Sequence, residues 1–174
     1  SHFRDFSEVY FTNFLQLFDF DNATGNISNP KTITIPGSAY NSCEFSPDSR
    51  LLYATKPFEQ EIDQFLIQLP TEAAITASVQ HIPASFGFYG IQLGPYKKLY
   101  VTKSSPTIAV INNPDVIGQG CDLQMDQVIL QGRSSGINFP GTINDLAYDP
   151  YNNFDYQVLQ FSRPHHAPSC CATF

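Results

Sequence analysis

The sequence predicts an all-β protein assembled from repeated four-stranded antiparallel sheets, and three observations carry that expectation. Short β-branched and aromatic runs bounded by Asn, Asp, Gly, Pro and Ser recur along the chain. Thirteen prolines and ten glycines are spread so widely that few stretches have room for a long helix. One hairpin signature then returns: Cys43 to Thr55, with a Pro47-Asp48 turn, and Ile91 to Thr102, with a turn at Pro95 one residue shorter. The two prolines lie 48 residues apart, and a weaker third copy runs from Leu146 to Tyr156 around Pro150.

The elements follow in chain order. Val9-Tyr10-Phe11-Thr12 reads as the second strand of a copy whose first strand is lost. Leu15 to Phe20 is the next strand, and Asp21 to Gly25 supplies a tight turn before the alternating run Lys31 to Ile35. After the Cys43–Thr55 hairpin, a third strand is expected over Ile62 to Leu69. Thr71 to Val79 fits either a short helix or, through Ile75 to Val79, a fourth strand. After the Ile91–Thr102 hairpin come Thr107 to Ile111 and Gln127 to Leu130.

Four strands per 45–50 residues is the period of a β-propeller blade. A single four-stranded sheet cannot bury both faces, so blades stack face to face around an axis. The expected units are 1–38, 39–84, 85–135 and 136–163, followed by an irregular tail over 164–174. That makes roughly three to four blades, whereas propellers close with about four to eight. The expectation is an incomplete propeller, or blades completed by other chains, with a β-sandwich as the competing architecture.

Composition limits the function. The 174 residues are 42% apolar and only 14% charged, with 15 Phe and 9 Tyr, which excludes a disordered chain. A net charge of −7 without any Lys/Arg run argues against nucleic acid and anionic membrane surfaces. No apolar run reaches the length of a membrane span. The chain starts Ser1-His2-Phe3-Arg4-Asp5, without a signal peptide or initiator Met, and reads as a processed or excised piece. Asn22-Ala23-Thr24 and Asn26-Ile27-Ser28 match the N-glycosylation pattern, which carries meaning only in a eukaryotic source.

Each candidate for chemistry has a plain structural alternative. Cys43, Cys121, Cys170 and Cys171 fit no compact disulfide framework, and Cys43 reads as a small buried residue. His165, His166, Cys170 and Cys171 resemble soft metal ligands, but adjacent cysteines cannot easily share one tetrahedral ion. Asp19, Asp21 and Asn22 offer oxygen ligands but do not continue as a calcium loop, and read as a solvated turn. Glu44, Asp48, Glu59, Glu61 and Asp63 are the carboxylates near the repeat strands; Asp48 has a turn to hold, and His81 reads as a structural or exposed histidine. Phe86, Phe88 and Tyr89, around Gly87 and Gly90, could stack on a sugar or a protein, or fill the core. No nucleophile elbow, zincin motif or phosphate loop occurs. No catalytic residue, metal or cofactor is expected.

Ser38-Ala39-Tyr40 followed by Cys43 to Tyr53 resembles the WD40-like propeller of large secreted Bacteroidetes surface proteins. Gln92-Leu93-Gly94-Pro95 with Leu99-Tyr100-Val101, and Val110 to Pro114 with Gly120-Cys121, are similar to later segments of that family. Asp19-Phe20-Asp21 with Thr24 to Pro30 looks like its first blade, so the likeness spans roughly residues 9 to 140. The family's usual Gly-Asp or Gly-Asn turn is replaced here by Pro95-Tyr96-Lys97-Lys98, and the sequence diverges after Pro140. In that family the propeller precedes immunoglobulin-like modules and a type B sorting domain for type IX secretion. The resemblance implies an extracellular or cell-surface module that binds protein or glycan, without catalysis. The alternatives are a subunit self-associating into a ring or filament through open blade faces, and a propeller hydrolase of lactonase type.

Overall fold

The computed structural model describes residues 13–21 and 23–139. These form three antiparallel sheets. The first is a hairpin of β1 (Phe14–Asp21) and β2 (Asn26–Thr34). The second contains β3 (Ser42–Phe45), β4 (Leu51–Thr55), β5 (Glu61–Leu66) and β6 (Gln80–Pro83), and the third β7 (Ile91–Leu93), β8 (Leu99–Val101), β9 (Thr107–Ile111) and β10 (Leu123–Ile129). Both four-stranded sheets are meanders in which sequence neighbours pair in order.

The first hairpin turns where Asp21 accepts from the backbone N–H of Gly25, whose φ of 75° lies in the left-handed region open to glycine. Its register slips between Leu17 and Asp19, leaving Asn29 and Pro30 opposite Phe18. Such a bulge suits Pro30, which has no N–H to give the ladder.

The middle sheet is buried on both faces, and all five residues of β4 are inaccessible. Strand alternation divides them. Leu52 and Ala54, with Phe65, face the first hairpin and form one core with Leu15, Ile33, Tyr40 and Ile75. Leu51 and Tyr53, with Ile62 and Ile82, join a second core with Phe88, Ile91, Leu99, Val101, Ala109, Ile111 and Cys121. At about 25 cal/mol per Å² of apolar surface, this two-sided burial is the main force holding the sheets together. Cys43 packs against the first core and Cys121 is buried in the second.

Within residues 71–79 the chain forms a helix. Helix α1 (Glu72–Ala77) is capped by Thr71, whose hydroxyl accepts from Ala74 N at 3.2 Å. It drops Ile75 into the first core, and Glu72 accepts from the β2 backbone at Thr32. The strand reading of Ile75 to Val79 is therefore corrected: the fourth strand of the second sheet is Gln80–Pro83. Likewise the last strand of the third sheet begins earlier than expected, at Leu123, with a register slip between Gln124 and Val128.

A threonine at the end of the second strand of each four-stranded sheet bonds the backbone that follows that sheet. Thr55 accepts from Ser42 N and donates to the Tyr89 carbonyl at the entry to the third sheet. Thr102 accepts from Gly90 N at 2.8 Å and donates to the Ile137 carbonyl at 2.6 Å.

Candidate functional site

The densest cluster of titratable groups surrounds Lys56, directly after β4. Its ammonium lies 2.8 Å from Glu59 and 2.9 Å from Asp63, and is also bonded to Glu61. Glu61 and Asp63 share one face of β5. Asp63 is paired with Ala54 on one side and His81 on the other. Asp63 accepts from the Tyr40 hydroxyl at 2.6 Å and contacts His81 Nδ1 at 2.7 Å. The Tyr40 ring sits edge-on to Phe65, centroids 6.5 Å apart, which aims the hydroxyl at Asp63.

Burial alone would lower the Lys56 pKa, but its hydrogen bonds to Glu59, Glu61 and Asp63 outweigh it and hold the ammonium above its ordinary value. Burial pushes Tyr40 up, and the adjacent Asp63 carboxylate adds to the shift.

Glu61, Asp63 and His81 bring donor atoms within 4.8 Å of one another, the composition of a divalent-metal site. Lys56, however, already bonds the Asp63 and Glu61 oxygens that face His81. The cation of this cluster is internal. A fully buried ammonium held by three carboxylates fixes strand positions; it is not presented to a substrate.

A second network joins the second and third sheets. The β9–β10 loop lies over the second sheet. Tyr53 donates to the Pro114 carbonyl at 2.8 Å, and Gln64 donates to Val116 O at 2.9 Å while accepting from Gly118 N at 2.7 Å. Asp115 accepts from Asp48 N at 3.0 Å. Asp48 also holds its own turn, accepting from Ser46 Oγ at 2.7 Å and Arg50 N at 3.1 Å. Burial raises the Asp115 pKa, with the Asp48 carboxylate beside it adding to the shift. Burial pushes Asp48 upward as well, but bonds from Ser46 and Arg50 prevail and lower it.

The aromatic trio is dispersed. Phe88 is wholly inside the second core and offers no surface for stacking; Tyr89 is half-buried; Phe86 is 59% exposed, with Lys103 Nζ 5.4 Å from its ring centroid. Phe58, unremarked in the sequence, is 70% exposed, and Gly87 lies against the Pro57 backbone beside it. Glu44 bridges sheets, accepting from Leu93 N at 3.1 Å. Asp21 caps its turn through Ala23 N and the Thr24 hydroxyl, and Asp19 accepts from Asn29 Nδ2 at 2.7 Å. His165, His166, Cys170, Cys171, Asn22 and the Leu146–Tyr156 hairpin lie outside the described residues.

Sequence reasoning named Glu59, Glu61, Asp63 and His81 but missed Lys56 and Tyr40, which organise them. A signal was present: Thr55-Lys56 recurs as Thr102-Lys103, and Lys103 is likewise nearly inaccessible and paired with Asp126. No helix among the described residues is long and apolar enough to cross a membrane.

Comparison with protein-family models and with curated proteins returned no match.

Proposed function

We propose that the chain is a non-enzymatic binding and scaffolding module of β-propeller type, displayed outside the cell or at its surface. The observation that carries this reading is the middle sheet, covered on both faces by the sheets before and after it in sequence. Stacking in chain order is the way blades bury themselves. Lys56 already bonds all three carboxylates of the acid–histidine cluster, so the groups a hydrolase would need are committed to structure. The cell-surface assignment rests on the family resemblance of residues 9 to 140. The contact surface includes exposed Phe86, backed by Lys103, and exposed Phe58, whose neighbour Pro57 lies against Gly87: flat apolar rings suited to a sugar face or a protein side chain.

The test is binding of the purified chain to arrays of glycans and extracellular proteins, alongside turnover of lactone substrates. Saturable binding lost in Phe86→Ala, at unchanged thermal midpoint, supports the module. Lactone turnover would overturn it in favour of a hydrolase, and binding that survives both Phe86→Ala and Phe58→Ala would remove this surface from it.

A further inference from the structure

The two four-stranded sheets follow one rule, satisfied in full only once. In the second sheet, Thr55 ties to the carbonyl of Tyr89, two residues before β7, and the third sheet then covers the face carrying Tyr53. That cover ends with the Tyr53 hydroxyl bonded to the β9–β10 loop. In the third sheet, Thr102 makes the same tie to Ile137. Tyr100 takes the place of Tyr53: Leu99 and Val101 on either side of it face the second sheet, so Tyr100 points the opposite way. Among the described residues its hydroxyl reaches only its own turn, 3.5 Å from the Pro95 carbonyl. Gln92 and Val110 pair with Tyr100, and Gln124 pairs with Val110 in turn, so the four share one face. Val110 is 1% exposed yet belongs to neither of the two cores.

The geometry points to this outward face of the third sheet as an intramolecular docking surface whose occupant is the segment 140–163 of the same chain. The tie at Ile137 holds the chain beside Gly90 and Thr102, next to β7, just as the tie at Tyr89 holds it beside Thr55 before β7. The hairpin signature at Leu146 to Tyr156 lies within the following 24 residues. The inference rests on the stacked-sheet reading above and adds the seat and its occupant.

A photo-crosslinker, benzoylphenylalanine, placed at position 100 of the full chain tests it. The expected product is an intramolecular cross-link to a peptide within 140–163, in material that light scattering shows to be monomeric. Cross-links joining two copies, or confined to residues 13–139, overturn the assignment. Because the Tyr100 ring lies against Gly94, hydrogen exchange of the chain without the crosslinker gives a second measurement. Thr102→Val is expected to speed exchange across residues 146–156 at least tenfold while leaving β4 and β5 unchanged. Free-peptide exchange rates over 146–156 in the unsubstituted chain overturn the proposal. Both readouts report position alone, so they can fail while glycan or protein binding succeeds, and the reverse.

Discussion

Lys56 and Asp63 form an ion pair 2.9 Å long in which neither side chain is more than 1% exposed. A buried pair of this kind adds little net stability, but removing one partner leaves charge stranded out of water. Lys56→Met is therefore expected to cost about 3–5 kcal/mol at neutral pH, since Glu59, Glu61 and Asp63 lose their common cation. Urea unfolding measures it; a loss below about 1 kcal/mol would show that water reaches the cluster.

Alkaline pH acts on the same residues. Tyr40 and Tyr53 titrate above their ordinary value near 10, chiefly because they are buried, and Lys56 also titrates above its own. Groups whose folded pKa is raised contribute stability that is complete below the unfolded pKa and lost as pH climbs through the folded one. Stability should stay flat through neutral pH and fall above about 10, by up to about 1.4 kcal/mol per pH unit for each group still protonated when folded. Tyr53→Phe should make that fall shallower, read from denaturant midpoints between pH 8 and 11.5.

Asp115 works in the opposite sense to Asp48. Its raised pKa means that its charge opposes folding at neutral pH, whereas the lowered value of Asp48 means that its charge favours folding until acid protonates it. Asp115→Asn keeps an oxygen for Asp48 N and removes the charge. The thermal midpoint should rise by roughly 1–3 °C, and a drop of several degrees would show that the carboxylate itself holds the loop.

Gly87 has no room for a side chain. A Cβ there would sit 1.8 Å from the Pro57 carbonyl oxygen, which is backbone and cannot rotate aside. Gly87→Ala should destabilise by about 3 kcal/mol or more, because the β4–β5 turn must move as a whole. A calorimetric scan within 2 °C of the parent would disprove that close approach.

Strand alternation, proline and glycine spacing and the recurring Pro47 and Pro95 turns made the all-β class and the hairpin pairing legible, because these are local preferences acting over two to five residues. The region after Thr71 was not legible, since Glu72 to Val79 suits either state. Packing decided it: as a helix, the segment carries Ile75 into the first core and Glu72 to the β2 backbone. The same division applies to the site. Sequence placed Glu59, Glu61, Asp63 and His81 near repeat strands, yet could not show that Tyr40, 23 positions before Asp63, reaches back to it. Nor could it separate Phe88 from Phe86, two residues apart and of one type, one sealed between sheets and the other open. Periodicity along a chain determines which side chains share a face. What lies across that face depends on how the sheets stack, and burial, charge pairing and accessibility are properties of the stack.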